Sequence, residues 1–293
     1  MTTIAVIAHS KKTFGGGLGE LRRVLHDAGH PEPLWYEVAK SRQVPKCAKQ
    51  AMADGADLIF VWGGDGTVQR CINTVADTDA VIAILPAGTA NLLATNLGVP
   101  QDVAEAVTIG LHGDRRTLDL ATANGEHFAV MAGAGLDALM IDGADAGLKD
   151  RMGRAAYLWT GARNLKTSPV NAKVEVDGRT FHKGEVTCVL MGNVKDVFGD
   201  IEVFDGARPD DGLLEIGIVT AQSQGEWIRT LGTVVMGKTE NSPFVITARG
   251  SKFKMKFDAP TPYEIDGGVR KKVKKLKVKV RPKAITICVP NAS

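Results

Sequence analysis

Residues 61–70, VWGGDGTVQR, set a carboxylate among glycines at the end of an apolar run. Gly63 and Gly64 let the backbone come close to a bulky ligand, and Gly66 follows the acid directly. Thr67 opens a helix whose first N–H groups and dipole favour a phosphate. Asp65 would repel a phosphate met directly. A carboxylate here suits holding Mg²⁺, directly or through water, or accepting a proton from a nucleophile. A second turn, PAGTANLLATNLGVP, carries Gly88, Thr89 and Asn91 where another strand gives way to a helix. Ser10 and the run Gly15-Gly16-Gly17 supply a third. In open parallel sheets ligands sit beyond the carboxyl ends of the strands, so these turns would line one crevice. Neither the G-x-x-x-x-G-K-[ST] nor the G-x-G-x-x-G pattern is present in register.

The elements that must hold these turns are legible in the hydrophobic period. TIAVIAH, PLWYEV, DLIFVW and AVIAILP are short apolar runs suited to buried parallel strands. LGELRRVLHDAG and VPKCAKQAMADG have helical spacing, with Pro45 in a first turn and Gly29 and Gly55 at the stops. Further helices are expected from Thr67 to Ala76, over residues 90–97 and at DVAEAVTIGLHG. This βαβα rhythm implies a parallel sheet covered on both faces.

After about residue 115 the pattern changes to period two. NAKVEVDGRTFHKGEVTCVLMGN alternates and contains Asp177-Gly178, a two-residue hairpin signal. LLEIGIVT, PFVITARG, KFKMKFD, PYEIDGG, KLKVKVRP and AITICVP read as further strands; helices are expected only near residues 148–165 and 223–237. The expected fold is therefore α/β in two domains. Residues 1–122 form a parallel-sheet nucleotide-binding domain, and residues 123–293 a mainly antiparallel β-sandwich domain.

Composition narrows the class. The chain has 293 residues, 44% hydrophobic and 24% charged, with a net charge of +3. No stretch reaches the roughly 20 apolar residues a membrane helix needs. The N-terminus is too short and too early-breaking for a signal peptide, so a cytoplasmic protein is expected. Cys47, Cys71, Cys188 and Cys288 are widely spaced, which argues against a zinc site or a disulfide framework and for buried thiols. Residues 270–283, RKKVKKLKVKVRPK, hold nine Lys or Arg and no acid. Lys275, Lys277, Lys279 and Arg281 alternate with apolar residues, as on a strand with one solvated face. The same charges would attract anionic lipid. Nucleic acid is a poorer partner, because no aromatic residue interleaves with them.

GGDGT, then PAGTANLLATNLGVP, then ARPDDGLLEI and YEIDGG together resemble the diacylglycerol kinase catalytic-domain family, which includes bacterial lipid kinases and the sphingosine kinases. The resemblance covers most of the chain in the right order. GGDG alone also occurs in NAD kinases and phosphofructokinases, but the later motifs of those families are absent. The resemblance implies an ATP-dependent kinase that phosphorylates a lipid hydroxyl, with diacylglycerol as the first candidate acceptor. A sphingoid base or ceramide is the alternative, or a weakly active or non-catalytic lipid- or nucleotide-binding relative. It implies ATP contacts at Ser10, at Lys40 or Ser41, along Gly63 to Gln69 with Gly63, Gly64, Asp65, Gly66 and Thr67 foremost, and at Gly88, Thr89 and Asn91. Asp119 matches an acid linked to catalysis. A structural Mg²⁺ would be held by Asp211 with the carbonyls of Arg208 and Leu213. The acceptor would be met at a membrane surface, and a homodimer is expected by resemblance alone.

One position departs. The family commonly carries Asp-Gly-Glu near the C-terminus, the Glu acting as general base, and this chain reads Asp266-Gly267-Gly268. Asp65, Asp119 or Asp266 then takes that role, or Glu264 reaches in, or activity is weak. MAGAGLDALMI offers small and apolar residues for an acyl tunnel, or for plain core packing.

Overall fold

The computed structural model describes residues 2–135, 169–196 and 202–292. The expected helix near 148–165, and the end of the proposed tunnel segment beyond residue 135, lie outside them.

Strands β1 (Ile4–His9), β2 (Leu34–Val38), β3 (Leu58–Gly63) and β4 (Val81–Pro86) pair in parallel in the order β4-β3-β1-β2. Every residue of β1 and β3 is buried, which is why they read as unbroken apolar runs rather than alternating ones. Helices α1 (Gly17–Asp27), α2 (Val44–Ala53), α3 (Asp65–Val75), α4 (Leu92–Asn96) and α5 (Val103–His112) connect them, with α1 packed on α5 and α2 on α3. Helix α3 begins at Asp65, two residues earlier than its periodicity suggests, so the acid sits in its first turn.

The second half is antiparallel: β5 (Asp114–Ala123), β6 (Glu126–Phe128), β7 (Met131–Ala134), β8 (Val170–Val176), β9 (Arg179–Val186), β10 (Cys188–Gly192), β11 (Leu214–Val219), β12 (Val245–Gly250), β13 (Lys252–Ile265) and β14 (Gly268–Val289). Helix α6 (Gln224–Val235) starts with a Ser223–Glu226 capping box. A second core, centred on Phe128, Phe253, Met255 and Leu276, lies under these strands.

Asp177-Gly178 turns β8 into β9 as expected, with positive φ at both residues. Asn124-Gly125 does the same between β5 and β6, and Asp266-Gly267 between β13 and β14. Both are the left-handed pair that a tight hairpin requires.

KFKMKFD and PYEIDGG merge into one strand, β13, with register shifts between Lys256 and Tyr263 around Pro260 and Pro262. KLKVKVRP and AITICVP likewise merge into the 22-residue β14. Pro282 bends this strand without ending it: Lys283 takes a positive φ, and its N–H donates to Asp119 Oδ1. Before the bend β14 pairs with β13; after it, Thr286 lies opposite Val81 of β4, in parallel. The last strand thus belongs to both halves and fixes one against the other. Among the described residues no helix is long and apolar enough to cross a membrane.

Candidate functional site

Four loops meet at the carboxyl ends of β2, β1, β3 and β4. Ser10 follows β1, Ser41 follows β2, residues 63–67 follow β3 and residues 88–91 follow β4. Two glycines let the last two touch. A Cβ on Gly88 would sit 2.5 Å from Gly64 Cα, and one on Gly64 would sit 3.0 Å from Gly88 Cα. Asn91, buried and left-handed, closes its own loop by accepting from Gly88 N–H at 2.9 Å and donating to Gly88 O at 2.9 Å.

Asp65 joins the two loops. Its Oδ2 accepts from Asn91 N–H at 3.0 Å and its Oδ1 from Leu92 N–H at 2.6 Å. The acid thus caps the neighbouring helix α4, and its own backbone N–H, the first of α3, also bears on the carboxylate. The start of α4 is satisfied by Asp65, whereas α3 starts at Gly64 with no side-chain cap. Gly64 O takes the Thr67 and Val68 N–H groups, which leaves the Gly66 N–H and the dipole of α3 to face an anion. Burial raises the Asp65 pKa, and the Leu92 and Asn91 N–H groups and the charge of Lys12 oppose that rise. Thr67 is buried, and its Oγ1 lies 3.2 Å from Ser41 Oγ, so the loop after β2 is tied to the GGDGT turn. Ser10 Oγ donates to Val38 O at 3.3 Å, and Thr89 is exposed.

Asp266 lies on the far side of this junction. Its Oδ2 accepts from Ala129 N–H, and its Oδ1 from Val130 and Met131 N–H, at 2.9–3.0 Å. Three N–H donors favour a carboxylate, but burial outweighs them and, with the charge of Asp65, pushes its pKa up to about 6. Glu264 stands two residues earlier on β13. It is 4% exposed and its Oε2 has no partner. Burial, then the charge of Asp266, pushes its pKa up to about 7. The charge of Asp65 thus bears on Asp266, and that of Asp266 on Glu264, which links the three carboxyl groups electrostatically. Of the three, Glu264 carries the open oxygen.

A pH prediction follows. The folded state holds a proton on Glu264 that the unfolded chain releases near 4.5, so stability falls as pH rises from 4.5 to about 7. The loss from this group is about 3 kcal/mol, from about 1.4 kcal/mol per pKa unit. Denaturant melts at pH 5 and pH 8 should show the fall in the wild type and a smaller one in Glu264→Gln. An equal fall in both would remove Glu264 as its source.

Gly268 is covered. A Cβ there would lie 2.6 Å from Arg270 Nη1. Arg270 donates through Nε and Nη2 to Glu126, which also accepts from Gln69 Nε2 of α3 at 3.3 Å. A guanidinium thus lies over the position at which the resemblance expects a base, and it ties the Asp-Gly-Gly turn to α3. The resemblance placed Gln69 at the end of a nucleotide loop, but Glu126 and Arg270 were not singled out in the sequence. Their pairing spans 57 and 144 residues, and no local signal reports it.

Asp119 is placed elsewhere. It is buried, and it accepts from Gly212 N–H at 2.6 Å and Lys283 N–H at 2.7 Å. Its partners are the 209–212 loop and the β14 bend, not the glycine turns, so the geometry makes it a positioning acid. Asp211 Oδ1 accepts from Leu213 N–H, and its Oδ2 holds Arg249 at 2.7 Å. The same guanidinium also pairs with Glu215, so two carboxylates share it. Asp211 is thus engaged by Arg249 where the resemblance expects Mg²⁺, and no group of three or more His, Cys, Asp or Glu among the described residues suggests another metal site. Asp65 beside the glycine turns is a further candidate: its carboxylate is a hard oxygen donor of the kind Mg²⁺ prefers.

Glycine turns at the carboxyl ends of parallel strands, tied to an antiparallel β domain by one shared strand, define a class. Residues 4–123 match the diacylglycerol kinase catalytic domain, and residues 130–289 match the YegS C-terminal NAD kinase β-sandwich-like domain. The chain is 26% identical to a diacylglycerol kinase of Bacillus subtilis, covering 88% of this chain and 86% of that one. It is 30% identical to a Pseudomonas fluorescens protein named "Probable lipid kinase YegS-like", covering 85% and 82%. A solved diacylglycerol kinase structure from Bacillus anthracis superposes with a TM-score of 0.79 at 24% identity, over 98% of this chain and 96% of that one. The chain belongs to the diacylglycerol kinase family, in its YegS-like lipid kinase branch, and is a phosphotransferase of that class.

Proposed function

We propose that the protein transfers the γ-phosphate of ATP to a lipid hydroxyl, with diacylglycerol the first acceptor and phosphatidic acid the product. The observation that carries the reading is Asp65, whose carboxylate locks the GGDGT turn to the PAGTAN turn beside the α3 N-terminus. The phosphates would lie against that N-terminus, where the Gly66 N–H and the helix dipole offset their charge. Mg²⁺ bound with the nucleotide, held by Asp65, would neutralise further phosphate charge.

The acceptor oxygen bonds to the γ-phosphorus, the bond to the bridging oxygen of ADP breaks, and the hydroxyl proton leaves. Positioning and charge neutralisation supply most of the rate in such transfers. The proton passes to the linked carboxyl groups, where Glu264 holds the open oxygen. This gives the acid–base task to residues other than position 268, which Arg270 covers. A pKa near 7 suits a group that takes up and returns a proton near neutrality.

The sandwich type is shared in name with NAD kinases, so the acceptor panel should include NAD. Labelled ATP is offered with diacylglycerol, sphingosine and ceramide in mixed micelles, and with NAD in solution. Label in a lipid is expected. Label in NAD alone would overturn the lipid reading. Nucleotide binding without transfer to any acceptor would favour a non-catalytic relative, the outcome that Gly268 motivates.

A further inference from the structure

The sheet of the second half carries an unusual pairing of like charges. Lys252 lies directly opposite Lys279, Lys254 opposite Lys277, and Lys256 opposite Lys275. All six are exposed. The run continues across the next strands, with Lys256 opposite Lys173 and Lys173 opposite Lys183. The residues that alternate with them on β13 and β14, Phe253, Met255, Leu276 and Val278, lie in the second core, so the lysines share the opposite face. Like charges directly opposite each other destabilise a sheet. Lysine is used on edge strands to prevent unwanted pairing, but β13 and β14 each have strands on both sides and need no such protection. Glu175, opposite Lys254, pairs with Lys173 at 2.6 Å, and Asp258 and Glu185 lie at the end of the same face.

We infer that this lysine face is a docking surface for an anionic lipid bilayer. The inference rests on the lipid-kinase reading, which requires the acceptor to be collected from a membrane. The face supplies compact point charges on a sheet, in rows set by the strand spacing, and so fits an extended anionic plane rather than one planar phosphate fork. No aromatic side chain is interleaved on it to stack a base, which disfavours single-stranded nucleic acid. Strand β13 carries these lysines toward its start and Glu264 near its end, so docking would hold the proposed proton acceptor at a fixed relation to the bilayer.

The test uses the full-length chain without ATP or diacylglycerol. Sedimentation with vesicles of phosphatidylcholine alone is compared with vesicles that also contain phosphatidylglycerol. The wild type should partition at least tenfold more strongly onto the anionic vesicles, and salt should weaken that preference. A variant with Lys254→Gln, Lys256→Gln and Lys277→Gln should lose most of the preference. It should melt no lower than the wild type, because repulsions are removed. Its transfer to a short-chain, water-soluble diacylglycerol should be unchanged, while transfer to diacylglycerol in anionic vesicles falls. Equal partitioning of the wild type and the folded variant would overturn the inference. So would tighter binding to duplex DNA than to the anionic vesicles, lost in the same variant. Charge-dependent partitioning without phosphate transfer to any lipid would leave the surface standing and sink the kinase reading instead.

Discussion

Asp65→Asn should lower turnover by about a thousandfold, at the upper end of what removing one preorganised electrostatic contact costs. The substitution strikes two functions at once. It removes the charge nearest the proposed phosphate site, and it weakens the bridge from Asp65 to the Asn91 and Leu92 N–H groups. The amide retains one carbonyl acceptor, so one of these donors keeps its partner and the other meets an NH₂ group. The cost in stability should be about 1–3 kcal/mol, the usual penalty for a buried donor left unmatched. The variant should therefore stay folded, melt a few degrees lower, and bind ATP more weakly as the two glycine turns loosen. Turnover in mixed micelles, read beside a thermal melt, separates the two effects. Wild-type turnover in the folded variant would remove Asp65 from the chemistry.

Asp266→Ala should be the most destabilising single change at the site, by about 3–5 kcal/mol, because three buried N–H groups lose their acceptor together. Part of the loss is offset. The carboxylate is itself disfavoured by burial and by Asp65, which is why its pKa is raised to about 6. Asp266→Asn keeps an acceptor and should fold more readily. It also carries a second readout that packing alone would not move. Burial raises Glu264 most and the charge of Asp266 adds to it, so the neutral amide should lower the Glu264 pKa part of the way from about 7. Carboxyl-carbon NMR titration would record this. A Glu264 titration unchanged in Asp266→Asn would break the proposed electrostatic link.

Much of the first half was legible because its strands are buried on both faces and its helices carry clear stops. Gly63, Gly64 and Gly88 announced a crevice, and the reason is now visible: the backbones of the two turns touch, and neither position has room for a side chain. The partner of Asp65 was not legible. An aspartate in the first turn of a helix ordinarily serves that helix, and here it also serves a helix 26 residues on. Strands β5 to β7 were not anticipated, although Asn124-Gly125 is a strong hairpin signal. Asp266-Gly267 is both a hairpin turn and an acid of the site, and the resemblance drew notice to the second role alone. Half of the lysine face was legible: Lys275, Lys277 and Lys279 read as the solvated side of one strand, with anionic lipid as a partner. The run at residues 270–283 looks like an ordinary solvated edge until the register places Lys252, Lys254 and Lys256 against it. Arg249 was likewise silent in the sequence, and its pairing with Asp211 occupies the loop in which the resemblance expects a metal.

The central claim is that two glycine turns, locked together by Asp65, deliver the γ-phosphate of ATP to a lipid hydroxyl. It is tested most directly by incubating the wild-type protein with γ-labelled ATP, Mg²⁺ and diacylglycerol in mixed micelles and following the label. Label in phosphatidic acid, lost in Asp65→Asn, is the result predicted here. Bound ATP with no label in diacylglycerol or any other lipid, or label appearing only in NAD, would contradict it.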